Sequence, residues 1–258
     1  MHPIRFAALS GLVIAVLAAA ETSPGPAQVV SVENGTDPTK LLHTLEAKYE
    51  YIDLNRGVSS GTLRINFTQP LGPRHSYKLR YQVPVATLGG QGNSSHGIGD
   101  ASLQLGHVFG LTKAGGYVAM GEMIFDTASR RELGTGQNVF KGTLIMARFL
   151  PGGIFAPAIV QSNRLWGDAL RAKVNATTFD FYYVPKFADP RNLVTFDPAL
   201  NVDWQANKEY LSLAVTYGRV VGKAFGGNAI LFVKPTVFAG RDRPGSWGLE
   251  AGYKLVGF

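Results

Sequence analysis

Residues 76–85 read SYKLRYQVPV, and the polarity of the side chains alternates at every step through Val83. Bulky apolar side chains occupy one parity and charged or polar ones the other: Tyr77, Leu79, Tyr81, Val83 and Val85 against Lys78, Arg80 and Gln82. Because successive side chains of a β-strand point to opposite faces of the sheet, this period of two predicts a strand with one apolar and one polar face. The fold class then depends on which solvent each face meets.

The same alternation recurs along most of the chain, in segments that are separated by turn signals. We predict strands at 46–54, 61–69, 76–86, 100–110, 116–126, 141–149, 154–166, 174–184, 193–204, 210–220, 228–239 and 246–258. Strands of soluble proteins average about five or six residues, whereas a strand that crosses a bilayer needs roughly 9 to 11. An even strand number is also typical of single-chain outer-membrane barrels. The prediction is an all-β fold, a transmembrane up-and-down antiparallel β-barrel of about 12 strands.

A soluble secreted β domain is the alternative fold. In SGTLRINFTQ, residues 60–69, Leu63, Ile65 and Phe67 again alternate with polar residues. In a soluble sandwich the apolar set faces a protein core, whereas in a membrane barrel it faces lipid and the polar set faces a wet lumen. Strand length, strand number and the export signal described next favour the barrel.

The N-terminus has the pattern of a secretory signal peptide. Arg5 precedes an apolar run that closes on Ala18-x-Ala20, and the run is short for a membrane-spanning helix, which is the alternative. We therefore divide the chain into a signal peptide at 1–20, a flexible lead-in at 21–45 and a barrel at 46–258. The expected location is the outer membrane of a two-membrane envelope.

The lead-in contains one candidate helix. In DPTKLLHTLE, Asp37 suits a helix N-cap and Pro38 the first helical position, and three leucines follow at helical spacing. Such a helix would lie in or under the barrel as a plug. The stretch is equally well explained as the approach to the first strand, and both alternatives stay open.

Composition limits the partners. Residues 1–20 hold one basic and no acidic residue, so the rest of the chain carries 24 Lys and Arg against 18 Asp and Glu. These charges are scattered, without the basic runs that track nucleic acid, so we expect no nucleic-acid partner. The expected partners are outer-membrane lipid and a small-molecule solute. There is no cysteine, which excludes disulfides and thiolate chemistry.

The predicted connections alternate in length. Short ones such as QPLGPRH and GLTKAGG alternate with longer, more polar ones, above all 87–98 and 127–139. Short periplasmic turns and long outer loops are typical of outer-membrane barrels. This places both termini on the periplasmic side. The terminal Phe258 closes an amphipathic strand and resembles the signal that the barrel-assembly machinery recognises, which makes that machinery an expected partner during biogenesis.

Two short motifs resemble a known family. They are a Gly-x-Gly-Asp and a Leu-Gly-Thr-Gly about thirty residues later: Gly97, Gly99 and Asp100, then Leu133, Gly134, Thr135 and Gly136. The pair resembles the outer-membrane family named for the MetA pathway of phenol degradation, and the resemblance implies a channel or transporter. As a bare pattern, the first motif is also a turn that Asp100 caps.

The polar parity supplies candidate residues for a lumen. Eight-stranded barrels are filled by side chains and sixteen-stranded ones are open, so twelve strands predict a narrow pore. Arg64, Lys78 and Arg80 would form a basic ladder on adjacent strands, with counter-charges elsewhere: Glu122, Asp180, Asp197 and Lys254. The ladder suggests anionic or aromatic-acid solutes. The alternative is that these charges pair with one another and fill the lumen.

An outer-membrane lipid-modifying enzyme is the rival function, and a structural or adhesive barrel without transport is a third. Ser94, Ser95 and His96 lie in a predicted loop and His107 in a strand. Nucleophilic catalysis needs a base within hydrogen-bond reach of the hydroxyl and a group that orients the base. Adjacent residues in a glycine-rich loop do not supply that arrangement, so we predict no enzyme. The spacing of histidines and carboxylates predicts no metal site and no cofactor.

Overall fold

The structure is a computed structural model that describes residues 33–72, 76–90 and 93–258. The predicted signal peptide at 1–20 lies outside the described residues. Within the described ranges, we find no helix with the length and apolar character that a membrane crossing requires.

Thirteen β-segments make up nearly all of the described chain. They are β1 (Thr44–Asp53), β2 (Val58–Leu71), β3 (Tyr77–Gly90), β4 (Asn93–Ile98), β5 (Ser102–Thr112), β6 (Gly115–Ile124), β7 (Gln137–Leu150), β8 (Gly153–Gly167), β9 (Asn175–Pro185), β10 (Asn192–Asp203), β11 (Lys208–Ala224), β12 (Gly227–Ala239) and β13 (Trp247–Val256). A single 3-10 turn at Arg131–Leu133 interrupts the connection between β6 and β7.

The segments close into a barrel of twelve antiparallel strands. Sequence neighbours pair throughout, and β1 pairs with β13 from Thr44 opposite Val256 to Asp53 opposite Trp247. The segments β4 and β5 are two parts of one strand, because both pair with β3 and are separated only by residues 99–101. Closure satisfies the edge hydrogen bonds that an open sheet would leave exposed to lipid. The predicted fold class is therefore confirmed.

The predicted long loop at 87–98 is largely a β-hairpin. The strand β3 continues to Gly90 and pairs with β4 from Val85 opposite Ile98 to Gly90 opposite Asn93. The glycine and serine residues in this stretch weaken the apolar alternation by which strands are found in a sequence. Backbone pairing nevertheless extends the hairpin beyond the predicted end of the strand.

The lead-in forms one turn and no helix between residues 33 and 43. Asp37 Oδ1 accepts hydrogen bonds from the Thr39 backbone N–H at 2.9 Å and hydroxyl at 2.7 Å, and the Lys40 N–H bonds to the Asp37 carbonyl at 3.2 Å. The chain then runs directly to β1 at Thr44. The second alternative for this segment, the approach to the first strand, is the one that the structure shows.

The outward face of the barrel is apolar and ends in aromatic side chains. Half-exposed aliphatic residues occupy its middle: Ile65, Val83, Leu105, Leu144 and Ile159. At one end, rings stack from strand to strand, with Tyr77 to His107 at 4.3 Å, His107 to Phe109 at 5.7 Å and Phe109 to Tyr117 at 5.5 Å between centroids. The three tryptophans, Trp166, Trp204 and Trp247, lie exposed at the other end. An apolar band between two aromatic girdles is the surface that a bilayer requires of a barrel.

The two ends differ in their connections. One end, here the short-turn end, carries connections such as those at 113–114 and 151–152. The opposite, long-loop end carries the connections at 125–136 and 168–174. The strap described below and both chain ends of the barrel lie at the short-turn end.

Candidate functional site: the barrel lumen

Every predicted lumen residue lies on the inward face. The seven are Arg64, Lys78, Arg80, Glu122, Asp180, Asp197 and Lys254, and each occupies the parity opposite to the apolar outward residues of its strand. The strand register places Arg80 beside Gln104 of β5, which in turn faces Glu122 of β6. That these residues line a conducting path stays a prediction.

One side of the lumen, from β2 to β7, is predominantly basic, and we name it the basic wall. Its inward charges away from the turns are four cations and one carboxylate: Arg64, Lys78, Arg80 and Lys141, with Glu122. Glu122 is buried and pairs with Arg80 at 3.0 Å and Lys141 at 3.3 Å, and it accepts a 2.7 Å hydrogen bond from Ser102. One carboxylate therefore holds two cations of this wall.

The opposite side, from β9 through β13 to β1, is predominantly acidic, and we name it the acidic wall. Its inward charges away from the turns are five carboxylates and three cations: Glu46, Glu50, Asp180, Asp197 and Glu250, with Lys48, Lys234 and Lys254. Ion pairs join Lys234 to Asp197 at 2.8 Å, Lys48 to Glu250 at 3.0 Å and Lys254 to Glu46 at 3.4 Å.

Two of the three residues of the basic ladder, Arg64 and Arg80, form ion pairs. Arg64 pairs with Glu50 of the acidic wall at 2.6 Å, and Arg80 pairs with Glu122. The alternative that the lumen charges pair with one another therefore describes Arg64 and Arg80. Among the inward charges that the structure describes away from the turns, Lys78 and Asp180 have no ion-pair partner.

Sequence reasoning missed six lumen charges, namely Glu46, Lys48, Glu50, Lys141, Lys234 and Glu250. Each stands on the polar parity of a predicted strand, so the alternation that found Arg64 and Arg80 also carried this signal. What the sequence did not supply was the strand register, which decides which charges meet across the lumen.

The acidic wall borders at least two cavities. The larger, about 360 Å³, opens toward the long-loop end and is lined by residues that include Asp180, Asn201, Tyr210 and Phe238. The smaller, about 160 Å³, lies toward the short-turn end and is lined by residues 34–36 as well as by strands. Asp197, Lys234 and Glu250 line both cavities and so form the boundary between them.

Residues 33–43, which we name the strap, cross the short-turn end of the lumen. Leu41 packs against Val108 and Val118 on β5 and β6. The next residue, Leu42, packs against the inward side chains of β10 to β13: Leu193, Val220, Ile230 and Val256. These strand groups lie on opposite sides of the twelve-strand ring, so the two leucines bridge the lumen.

Polar contacts fix the strap to the wall at several points. The Asn228 side-chain amide donates to the Glu33 carbonyl at 2.8 Å, and the Tyr182 hydroxyl donates to the Thr36 carbonyl at 3.3 Å. The Gly257 N–H donates to the carbonyl of His43 at 2.8 Å. Apolar and polar contacts together hold the strap across the short-turn end of the lumen.

The two family-motif segments meet at the long-loop end. Asp100, in the break between β4 and β5, accepts hydrogen bonds from the Thr135 N–H at 2.7 Å, the Thr135 hydroxyl at 3.0 Å and the Ala128 N–H at 3.2 Å. A side chain at Gly134 would place its Cβ 2.5 Å from Asp100 Oδ1, which accounts for a glycine there. These contacts hold the loop at 125–136 against the basic wall at the long-loop end.

The other motif residues fit the same contact. A Cβ at Gly99 would lie 3.3 Å from the Leu133 carbonyl oxygen, and one at Gly97 would meet the Ser129 hydroxyl. Gly136 has a positive φ of 68°, which suits glycine. The motif residues of the two segments therefore form one structural contact between strand and loop.

The residues of the enzyme alternative are not assembled for nucleophilic catalysis. The Ser95 hydroxyl donates to Glu132 at 2.5 Å, a hydrogen bond that lowers the pKa of Glu132. His96 follows Ser95 in a strand and so points to the opposite face. His107 Nδ1 lies 3.1 Å from the backbone carbonyl of Ser76 and not from a hydroxyl. Neither histidine is placed as a base for one of the predicted serines.

The fold has solved relatives of low sequence identity. An outer-membrane channel of the COG4313 group from Pseudomonas putida F1 superposes with a TM-score of 0.70 at 11% identity, over 87% of this chain and 98% of that chain. The KdgM porin gives a TM-score of 0.57 at 10% identity, over 82% of this chain and 98% of that chain. KdgM in complex with a disordered oligogalacturonate gives 0.54 at 9% identity, over 82% and 98%.

Comparison of the sequence itself gives no relative. No family model matches the chain, and no curated protein matches it. The similarity to these solved structures therefore concerns the fold, a closed antiparallel β-barrel.

Proposed function

We propose that this chain is an outer-membrane channel for small solutes that is narrow and held closed at its short-turn end by the strap. The observation that carries the proposal is the contrast between the two faces of one closed barrel. The outward face is apolar between aromatic girdles, whereas the inward face is charged and encloses two cavities. A barrel of this size with a polar interior is suited to passing solutes rather than to building a dry core.

The similarity to solved channels supports the same proposal, as does the placement of the candidate catalytic residues away from one another. A more specific form of this proposal is a transporter of aromatic solutes that is similar to the MetA-pathway family. The two sequence motifs carry that resemblance, and they meet in one contact between a strand and a loop.

Planar-bilayer recordings of the mature chain test the proposal. We expect small conductance steps from the natural sequence and larger or more frequent ones from the double variant Leu41→Gly, Leu42→Gly, because the leucines bridge opposite walls of the lumen. Leu170→Gly, at an exposed loop leucine, is the matched control and should conduct like the natural protein. A folded barrel that conducts in none of these forms would contradict the channel function.

A further inference from the structure

The turns at the short-turn end repeat one combination of side chains. Four of its connections are described in full, at 113–114, 151–152, 186–191 and 225–226. Each has an exposed cation and an exposed bulky apolar side chain one or two residues apart: Lys113 with Leu111, Arg148 with Leu150, Lys186 with Phe187 and Lys223 with Phe225. The four combinations follow one another around the barrel from β5 to β12, and we name these eight residues the amphiphilic rim.

The charge of these turns is almost wholly positive. Within three residues of the four connections there are five cations, the four of the rim and Arg191, and a single acid, Asp189. Asp189 pairs with Arg191 at 3.0 Å, and the strap acids Glu33 and Asp37 are engaged within the strap. The four rim cations have no ion-pair partner among the described residues. A ring of one sign attracts anions to its surface.

The long-loop end does not have this charge of one sign. Its connections at 125–136 and 168–174 both contain acids as well as cations, and an ion pair of 3.3 Å between Arg131 and Asp168 joins the two connections. The positive ring is therefore a property of one end of the barrel and not of its surface as a whole.

The apolar members of the rim are placed where water would otherwise meet them. Phe225 is 90% exposed, and it occupies the first position of a two-residue turn with Gly226. Both residues have a positive φ, 49° and 84°, and hairpin turns with two positive φ angles favour Asn or Gly at the first position. Turn chemistry therefore does not account for Phe225. An apolar phase outside the protein does, because it receives the ring without the cost of exposing it to water.

The two kinds of side chain together fit the headgroup region of a lipid layer. Lys and Arg reach phosphates while their aliphatic stems lie along apolar surface, and neighbouring Leu and Phe side chains enter the acyl boundary. Basic residues at a membrane surface favour anionic over zwitterionic lipid. The chemistry of the rim therefore selects an amphiphile with an anionic phosphate headgroup.

We propose that the amphiphilic rim binds anionic phospholipid, with its cations on headgroup phosphates and its apolar side chains among the upper acyl chains. The predicted topology places the short-turn end in the periplasmic leaflet, where the lipid is phospholipid. The rim would thereby hold the barrel at a fixed depth in that leaflet. This inference goes beyond the proposed channel function and does not depend on whether the barrel conducts.

Native mass spectrometry of the detergent-solubilised mature chain tests the proposal with phosphatidylglycerol and phosphatidylcholine of identical acyl chains. We expect the natural chain to retain more phosphatidylglycerol. The quadruple variant Lys113→Gln, Arg148→Gln, Lys186→Gln, Lys223→Gln should bind it about tenfold or more weakly. The matched control removes four exposed cations of the long-loop end, by Arg56→Gln, Lys173→Gln, Lys208→Gln and Arg243→Gln, and should bind like the natural chain.

A second comparison tests the apolar half of the rim. Phe225→Ser changes no charge, and we expect weaker binding of both lipids with the preference for phosphatidylglycerol retained. Leu170→Ser is the control, because Leu170 is 86% exposed in a connection of the long-loop end, and it should bind like the natural chain. Heat-modifiable migration on a gel verifies that each variant is a folded barrel. If the quadruple variant does not fold, Lys113→Gln with Lys223→Gln gives the same test with a smaller expected loss.

Several outcomes would overturn the proposal. They are equal retention of the two lipids by the natural chain, equal loss in the quadruple variant and its control, and displacement of the lipid by an equal concentration of inorganic phosphate, which would indicate a site for free anions. Stronger retention of lipopolysaccharide than of phosphatidylglycerol through the same four cations would assign the rim to a different lipid. Absence of conductance in bilayers would contradict the channel function and leave the lipid site intact.

Discussion

The two walls of the lumen compensate their inward-pointing charges in different ways. The basic wall gathers two cations, Arg80 and Lys141, around the single buried carboxylate of Glu122. The acidic wall forms separate pairs, such as Lys234 with Asp197. The difference teaches that the basic wall depends on one residue, whereas the acidic wall distributes its compensation over several.

Each wall also keeps one ionisable residue without an ion-pair partner. On the basic wall it is Lys78, and on the acidic wall it is Asp180, whose carboxyl group lies within hydrogen-bond reach of the Asp197 carboxyl group. Paired charges largely cancel at the distance of a passing solute, while an unpaired one between low-dielectric walls is compensated less. Most of the lumen charge is therefore structural, and Lys78 is the charge without a counter-charge that a solute meets.

The largest expected effect tests whether the charged parity faces the lumen at all. Tyr81→Lys places a charge on the lipid face, where it costs about 2 to 4 kcal/mol near the bilayer midplane. We expect poor assembly, seen as loss of the heat-modifiable band in outer-membrane fractions. Gln82→Lys is the matched control, since it adds the same charge one residue later on the inward face, and it should assemble. Normal assembly of Tyr81→Lys together with failed assembly of Gln82→Lys would show that the charged residues face lipid. The two lumen walls would then not exist as described.

The second prediction compares the walls directly through one carboxylate of each. Glu122→Gln leaves Arg80 and Lys141 without their shared counter-charge, and we expect a loss of about 2 kcal/mol in unfolding free energy. That is less than the value for fully buried pairs, because both cations keep about one third of their side-chain surface exposed. Glu50→Gln breaks a single, more exposed pair with Arg64 and should cost about 1 kcal/mol or less. Urea unfolding in detergent measures both, and equal losses would contradict the difference between the walls.

A smaller effect is expected where the basic wall meets its loop. Asp100→Asn removes the charged acceptor that holds Thr135 and Ala128, with a local cost of about 1 to 2 kcal/mol. Trypsin added to intact cells should then cut faster at Arg130 or Arg131, since the loop is predicted to lie outside the cell. Asp126→Asn, in the same loop, is the control and should leave the cleavage rate unchanged. Unchanged cleavage in Asp100→Asn would show that the loop does not depend on this contact.

Much of this arrangement follows from the sequence, and the limit lies at the strand register. Alternation alone placed Arg64, Lys78 and Arg80 on one face, because side-chain direction in a strand is fixed by parity. The pairing of Arg80 with Glu122 joins residues 42 positions apart and depends on how β3, β5 and β6 align. A shift of register would give these residues other partners without changing their parity.

The strap shows a second limit. The leucines of the lead-in have helical spacing, and local propensity allows a helix there. Leu41 and Leu42 are instead adjacent in sequence and contact opposite sides of the lumen, which a helix would not permit. Tertiary contacts with the closed barrel decide the conformation, and they are not encoded in the local pattern.

Ion selectivity in planar bilayers tests the central claim, that Lys78 is the uncompensated lumen charge that acts on a solute, whereas Asp180 belongs to an acid pair with Asp197. Reversal potentials in a potassium chloride gradient are compared for the natural protein, Lys78→Gln and Asp180→Asn. We expect a shift toward cations for Lys78→Gln, larger at low salt because screening is weaker there, and a smaller shift for Asp180→Asn. No shift from Lys78→Gln in a barrel that conducts, or a larger shift from Asp180→Asn, would contradict the claim.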